Sequence, residues 1–508
     1  MEMIWYGGTI YTMESEGHTV QAVYVKDGMI EEVGAFDQLS HNHPDAILSH
    51  MQGKIMFPGF VDSHMHLMAH GEKLLRLDLS SCSSKEEVIK SVQIAEKSLA
   101  PEEWLIGEGW NENVFKEPHM LTKHDLDQHF PNRPVLLKRI CRHAATVNSA
   151  ALHQASITKM TPSPLGGEIE KDGQGDPTGL LLDKAEALVQ EVLPPVTLSY
   201  LERALRAGIR DCLEKGLTGV HTEDLAGYGD PKLVMKAYEN VVLSGEFPFH
   251  CHLLIHHTAL DAWDEYQPAE NEYLEYGAVK IFADGALGGR TALLKEPYSD
   301  ASHTKGLAMH DQENLYAIVE KARMKGREIA IHAIGDQAFE NGLDVLESLP
   351  PKPGRIDRMI HGQVLTEELM KRAARMPVGI DIQPRFVASD FPWAIDRLGE
   401  KRVQTSFAWK QLLTLGILCA GGSDAPIEPV DPILGIKAAI ERKSDLDGKV
   451  YQKEECLSLY EAICLYTTGS AKMVHQEEKN GKIKAGAVAR LTMIDRQTMS
   501  HMLSPKNL

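Results

Sequence analysis

His64 and His66 end the run Phe57-Pro-Gly-Phe-Val-Asp-Ser-His-Met-His66, and in extended chain two side chains spaced two apart point the same way. Neutral imidazole is the commonest protein ligand of a metal, so a converging pair is a candidate half-site. Spacing alone is weak, because His41 with His43 and His250 with His252 repeat it. Context separates the three. His41 and His43 lie in a polar segment before Pro44, and His250 and His252 precede the apolar run Leu253-Leu254-Ile255, at the beginning of a strand rather than its end.

Four more residues end or interrupt apolar runs. Lys280 stands in Ala278-Val-Lys-Ile-Phe-Ala283, where an unpaired ammonium would be costly to bury. Such a lysine snorkels, pairs with an acid, or loses its proton, and a neutral lysine can take up carbon dioxide as a carbamate that bridges two metals. His332 and His361 follow Ala330-Ile331 and Met359-Ile360, and Asp424 follows Gly421-Gly-Ser423. Each alone has a bland explanation, a satisfied core histidine or an aspartate starting a turn. Six nitrogen and oxygen donors at the ends of apolar runs are instead a donor set suited to Zn²⁺ or a similar divalent ion. Such an ion lowers the pKa of water and polarises a carbonyl, and Asp424 could take the water proton and pass it to a leaving group.

A fold that gathers strand ends must position these residues. Short β-rich runs alternate with polar loops and helix-like stretches, the pattern of a parallel α/β barrel. Eight strands are predicted: KIMFPGFVD, GLTGVHTED, FHCHLLIHH, GAVKIFAD, EIAIHAIGD, RMIHG, VGIDIQP and ILCAGGSD, beginning near residues 54, 216, 249, 277, 328, 358, 378 and 417. The candidate donors then fall at the C-terminal ends of strands, the catalytic face of a (β/α)8 barrel. The interval between the first two strands is too long for one βα unit and predicts an inserted subdomain at about 72–200, holding the β-like runs WLIGEGW and PVLLKRI. The two chain ends read alike as short strands with Gly turns, and predict a small β-sandwich domain from residues 1–54 and 480–508 flanking a barrel over 55–479. The segment LSLYEAICLYTTGSAKMV predicts a helix pair on the barrel exterior with Leu457, Tyr460, Ile463 and Leu465 as its apolar stripe.

Bulk properties narrow the function. A formal net charge of -19, from 53 Lys and Arg against 72 Asp and Glu with no basic run, argues against nucleic acid. The start MEMIWYGGTIYTME lacks a basic, then apolar, leader, and no run of 18 apolar residues occurs, so no membrane association is expected. The seven cysteines are scattered without a C-x-x-C pair, which points to a reducing, cytoplasmic setting. A homodimer is compatible with all of this.

The segments GGTI, PGFVDSHMH, VKIFADGALGGRTALL, IHAIGDQA and GGSDAP resemble the amidohydrolase superfamily in its binuclear form over nearly the whole chain. With GEGW (Gly107 to Trp110), GGEI (Gly166 to Ile169) and DPTGLL (Asp176 to Leu181), they look most like the third amidohydrolase family, which includes N-substituted formamide deformylase. The resemblance implies a distorted (β/α)8 TIM barrel and a metal-dependent hydrolase of a C–N bond. It also implies that His64 and His66 hold one metal, that His332 and His361 hold the other, and that carboxylated Lys280 bridges them. Asp424 would bind the first metal and act as the catalytic base. The mononuclear deaminase branch commonly carries a glutamate three residues beyond its fifth-strand histidine, where this chain has Gly335, so a purine or pyrimidine deaminase is disfavoured.

For a small amide-type substrate, Trp110, His143, Arg290 and Arg385 are candidate contacts near the top-face loops or the insertion, and Asp284 and Asp336 candidates for orienting the ligand histidines. Rival readings are a binuclear hydrolase of cyclic amides or esters, and a non-catalytic regulatory or binding protein on the same barrel. The second would be marked by a missing ligand or base, and none is missing.

Overall fold

Eight apolar runs, rich in Val, Ile and Leu, form one parallel sheet in chain order, each strand hydrogen-bonded to the next. In the computed structural model these barrel strands are β1 (Phe60–Met65), β2 (Leu217–Thr222), β3 (His250–His256), β4 (Leu274–Phe282), β5 (Ile329–Ala333), β6 (Asp357–His361), β7 (Val378–Ile382) and β8 (Leu418–Gly421). The structure describes residues 2–97, 99, 103–139 and 144–502. All eight predicted strands are present. The first prediction merged two elements, because the chain breaks at Gly59: Ile55–Pro58 belongs to another sheet, and only Phe60–Met65 enters the barrel. Gly59 is forced there, since a Cβ would lie 2.2 Å from the Thr218 hydroxyl oxygen.

Strands β1 and β8 are joined at their C-terminal ends by main-chain and side-chain bonds. Asp424 N donates to His64 O (2.8 Å), and His66 N to Ala425 O (2.8 Å). The buried Asp62 carboxylate accepts from His64 N (3.0 Å) and Ser423 N (3.0 Å). Gly422 makes the approach feasible, because a Cβ there would fall 2.6 Å from His64 N and 2.7 Å from His64 O.

Polar groups also cross the barrel interior. Arg358 on β6 forks onto Asp381 of β7 (2.8 and 2.9 Å), donates to Ser63 O on β1 (2.7 Å), and lies 3.4 Å from His221 Nδ1 on β2. Strands β2 and β6 are not neighbours, so these contacts span the centre. A buried guanidinium needs such a carboxylate to offset its desolvation.

Both chain ends supply the small β domain, a six-stranded sheet. Its order is Leu491–Ile494, Ile55–Pro58, Glu2–Tyr11, Thr19–Lys26, Met29–Gly34, with Ile47–His50 also on Glu2–Tyr11. Asp27-Gly28 forms the expected hairpin turn, both residues with positive φ (48° and 81°). The segment after β8 is one helical run rather than a helix pair: Leu459–Cys464, a π turn over Leu465–Gly469, and Ser470–Met473 follow without a break. The chain divides into two compact units, Glu72–Thr197 and the remainder. Within the former, Leu105–Trp110 and Val135–Arg139 pair in parallel inside a second six-stranded sheet.

Candidate metal centre

The strand ends bring the predicted donors together. Asp424 Oδ1 lies 3.4 Å from His64 Nε2 and 3.6 Å from His66 Nε2. Ligand atoms of His64, His361 and Asp424 lie within 4.8 Å of one another. The His64 ring is 5.5 Å from those of His66 and His361, and the His332 ring is 4.4 Å from that of His361. Lys280 is fully buried on β4, its Nζ 4.2 Å from the centre of the Phe282 ring, which lies 5.1 Å from that of His332.

Three of the four rings are aimed by a hydrogen bond from the outer nitrogen. His66 Nδ1 donates to Glu223 O (2.7 Å) and His361 Nδ1 to Gln383 Oε1 (2.7 Å), which leaves the Nε2 lone pair of both rings for the centre. Gln383 is held in that orientation by its own amide, which donates to Asp381 O (3.1 Å). His332 Nε2 donates to Gly285 O (3.1 Å) and lies 3.3 Å from Asp284 Oδ1. The backbone is bent at two donors, with positive φ at His361 (79°) and Asp424 (57°), a strain that persists where the surroundings over-determine a site.

Burial pushes the pKa of His64 and His361 well below the ordinary imidazole value, helped by the positive charge of Lys280 at the first and by His332 at the second. Burial likewise lowers His66, and the three rings are neutral lone-pair donors. Burial brings Lys280 down to about 8, against the opposing pull of Glu223 and Asp424. It raises Asp424 and lifts Glu223 to about 7.

A divalent ion fits this set. Among the described residues, both ring nitrogens of His64 and Nζ of Lys280 are buried without a hydrogen-bond partner, an arrangement that costs about 1–3 kcal/mol per atom unless something else satisfies it. Four imidazoles, one carboxylate and one lysine are the donor chemistry of a zinc-type site.

The candidates placed around the centre fare unevenly. Asp284 is beside His332 as expected, its carboxylate fixed by the main-chain N–H groups of Leu293, Ile334 and Gly335 (2.9, 3.0 and 2.8 Å). Asp336 instead begins the helix after β5 and accepts from Lys295 N (2.9 Å), so it anchors a loop and orients no ligand. Trp110 is fully buried in the core of the insertion and donates to Leu137 O (3.0 Å), which makes it a packing residue. Arg290 is bound by Asp300 (3.1 and 2.8 Å) in its own loop. Arg385 pairs with Glu428 (3.2 Å) and Asp445 (2.8 Å), next to Phe386, whose ring is 6.3 Å from that of His361. His143 lies outside the described residues.

Sequence reasoning missed Glu223, Gln383 and Asp62. Glu223 was open to it, since it follows β2 as Asp424 follows β8. Gln383 carried no signal, because an amide after an apolar strand is ordinary. His250 and His252 sit at the start of β3, as their context implied, each 3.4 Å from Glu275.

The model of the amidohydrolase family matches residues 51–501. The chain is 56% identical over 498 residues to "Putative amidohydrolase YtcJ" of Bacillus subtilis (strain 168), covering 97% of this chain and 94% of that protein. It is 26% identical over 523 residues to the N-substituted formamide deformylase of Arthrobacter pascens, covering 97% and 93%. An uncharacterized metal-dependent hydrolase from Pyrococcus furiosus superposes with a TM-score of 0.82 at 27% identity, covering 98% of this chain and all of that one. With its eight-stranded barrel and donors gathered at the strand ends, the chain belongs to the amidohydrolase family, in the third of its branches, and is a metal-dependent hydrolase.

Proposed function

We propose that the reaction is hydrolysis of a carbon–nitrogen bond in a small amide, an N-substituted formamide being the first substrate class to test, with one or two zinc ions bound and Lys280 carboxylated. The observation that carries this reading is Asp424, a buried carboxylate within 3.4 and 3.6 Å of two imidazole nitrogens that make no hydrogen bond among the described residues. The 26% identity with a formamide deformylase over 97% of this chain supports the substrate class.

A bound divalent ion supplies a water of lowered pKa and a polarised substrate carbonyl. His64, His66, His332 and His361 are the residues that would hold it: burial keeps the His64, His66 and His361 rings neutral, and hydrogen bonds aim those of His66, His332 and His361. Lys280, brought to about 8 by burial, keeps a far larger neutral fraction near neutral pH than an ordinary lysine, and the neutral amine is the form that takes up carbon dioxide as a carbamate. Asp424 accepts the proton of the attacking water and delivers it to the leaving nitrogen. Burial raises its pKa, so it can hold the proton between the two transfers. Arg385, held by Glu428 and Asp445 beside Phe386, whose ring is 6.3 Å from that of His361, is a candidate contact for the substituent of the amide.

The test is a screen of N-formyl, N-acyl and cyclic amides, with matched esters, against zinc-reconstituted protein. Turnover of formyl or acyl amides that disappears in Asp424→Asn is expected. Turnover of esters or cyclic amides alone would overturn the substrate assignment.

A further inference from the structure

Strand β1 runs into the helix Leu67–Leu75 with His66 between them. His70 N donates to His66 O (2.8 Å), the first bond of that helix, so His66 stands at its N-cap. The side chain of an N-cap residue ordinarily accepts the N–H of the second or third helical residue. The His66 ring is turned elsewhere, with Nδ1 on Glu223 O and Nε2 3.6 Å from Asp424 Oδ1. The N–H groups of Leu67 and Met68 therefore need acceptors from another element.

The end of β2 supplies them. Leu67 N donates to Thr222 Oγ1 (2.9 Å) and Met68 N to Asp224 Oδ1 (3.1 Å). The second carboxylate oxygen of Asp224 accepts from the Thr222 hydroxyl (2.6 Å) and from Tyr238 OH (2.5 Å) on the helix Pro231–Val242. Glu223 N also donates to Met65 O (3.3 Å), so every residue from Met65 to Met68 is bound to one of Thr222, Glu223 and Asp224.

These bonds act where the sheet ladder gives way. Val220 pairs with Asp62 but Thr222 pairs with Met65, so β1 carries an extra residue between the two registers. Main-chain pairing alone leaves the direction of His66 open at that point. Thr222, Asp224 and Tyr238 are 0%, 2% and 0% exposed, so bulk water does not compete for their bonds. Those bonds reach His66 through the main chain of Leu67 and Met68 rather than through its ring.

We infer that Thr222, Asp224 and Tyr238 are positioning residues of the metal centre. They cap the helix in place of His66, which releases its imidazole to serve as a ligand and fixes the direction from which it enters the centre.

The inference rests on His66 being a metal ligand, and its test does not depend on the substrate. Zinc affinity, by competition with a chelator, and the visible absorption band of cobalt-loaded protein are compared for the unaltered protein, His66→Ala, Thr222→Val and Thr222→Ser. Valine keeps the shape of threonine without its hydroxyl, and serine keeps the hydroxyl without the methyl group. Thr222→Val should weaken zinc binding by about ten-fold or more and change the cobalt band, as loss of an outer hydrogen-bond partner does. Thr222→Ser should retain both. Serine as damaging as valine, or valine weakened by less than that factor, would make Thr222 a packing residue and overturn the inference. Unchanged affinity in His66→Ala would overturn the ligand assignment and the inference with it. If Thr222→Val does not fold, Tyr238→Phe decides, since it removes one hydroxyl from Asp224: weakened zinc binding with a changed cobalt band supports the inference, and an unchanged band and affinity refute it.

Discussion

His361 Nδ1 donates to Gln383 Oε1 at 2.7 Å, so the ring's free lone pair is fixed toward Asp424 and His64 by a residue one strand away. Gln383→Leu removes the acceptor and leaves the ring free to turn. Loss of such a partner typically costs about 10–100-fold in metal affinity or activity. Competition with a fluorescent chelator should show zinc affinity falling by that factor at an unchanged fold. An affinity within two-fold of the unaltered protein would mean that the ring is oriented by packing alone.

Lys280 yields a sharper test, because its amine is buried with no hydrogen-bond partner among the described residues. Lys280→Ala should lower both metal content and turnover, and bicarbonate with a short carboxylic acid should restore part of each by occupying the space of the missing carbamate. Unchanged metal content would count against a bridging role.

The joint between β1 and β8 has no room for a side chain. In Gly422→Ala the new Cβ would meet His64 N and O at 2.6 and 2.7 Å and Asp62 Oδ1 at 2.8 Å, so the main chain itself must move. Displacing a ligand-bearing strand by about 1 Å costs on the order of 10²-fold in rate. Turnover should fall at least that far, with far-ultraviolet circular dichroism retained. A fully active variant would show that the strand ends tolerate separation.

Asp390 governs a pH dependence of stability. Burial, with the nearby charge of Glu428, pushes its carboxyl up to about 8, whereas in the unfolded chain it titrates near the ordinary value of 3.8. The folded state therefore binds the extra proton, and the contribution is full below about pH 4 and lost as the pH rises toward 8. Asp390→Asn cannot lose that proton. Its melting temperature relative to the unaltered protein should rise between pH 5 and 8, by about 2 °C or more. A constant difference across that range would refute the assignment.

The barrel was legible because its strands are apolar runs that end in donors, and the same rule located His64, His66, Lys280, His332, His361 and Asp424. What the rule could not show was where the chain turns inside a run. Gly59 splits the first run because a Thr218 hydroxyl occupies the space of a Cβ, a contact between residues far apart in sequence. Trp110 illustrates the opposite failure. An aromatic residue after a Gly-rich strand reads equally well as a substrate platform or as core, and only the packing of the insertion makes it core. Arg290 and Asp336 were similarly ambiguous, since their partners Asp300 and Lys295 are brought to them by loop geometry that has no periodicity to read.

The account rests on the claim that the six strand-end residues hold a divalent ion on which hydrolysis depends. The direct measurement is turnover of the best amide from the screen by chelator-stripped protein, titrated with zinc while bound metal is counted by mass spectrometry. Activity should be absent without metal, rise in proportion to bound zinc, and level off between one and two equivalents per chain. Full activity in protein from which the metal has been removed would contradict it.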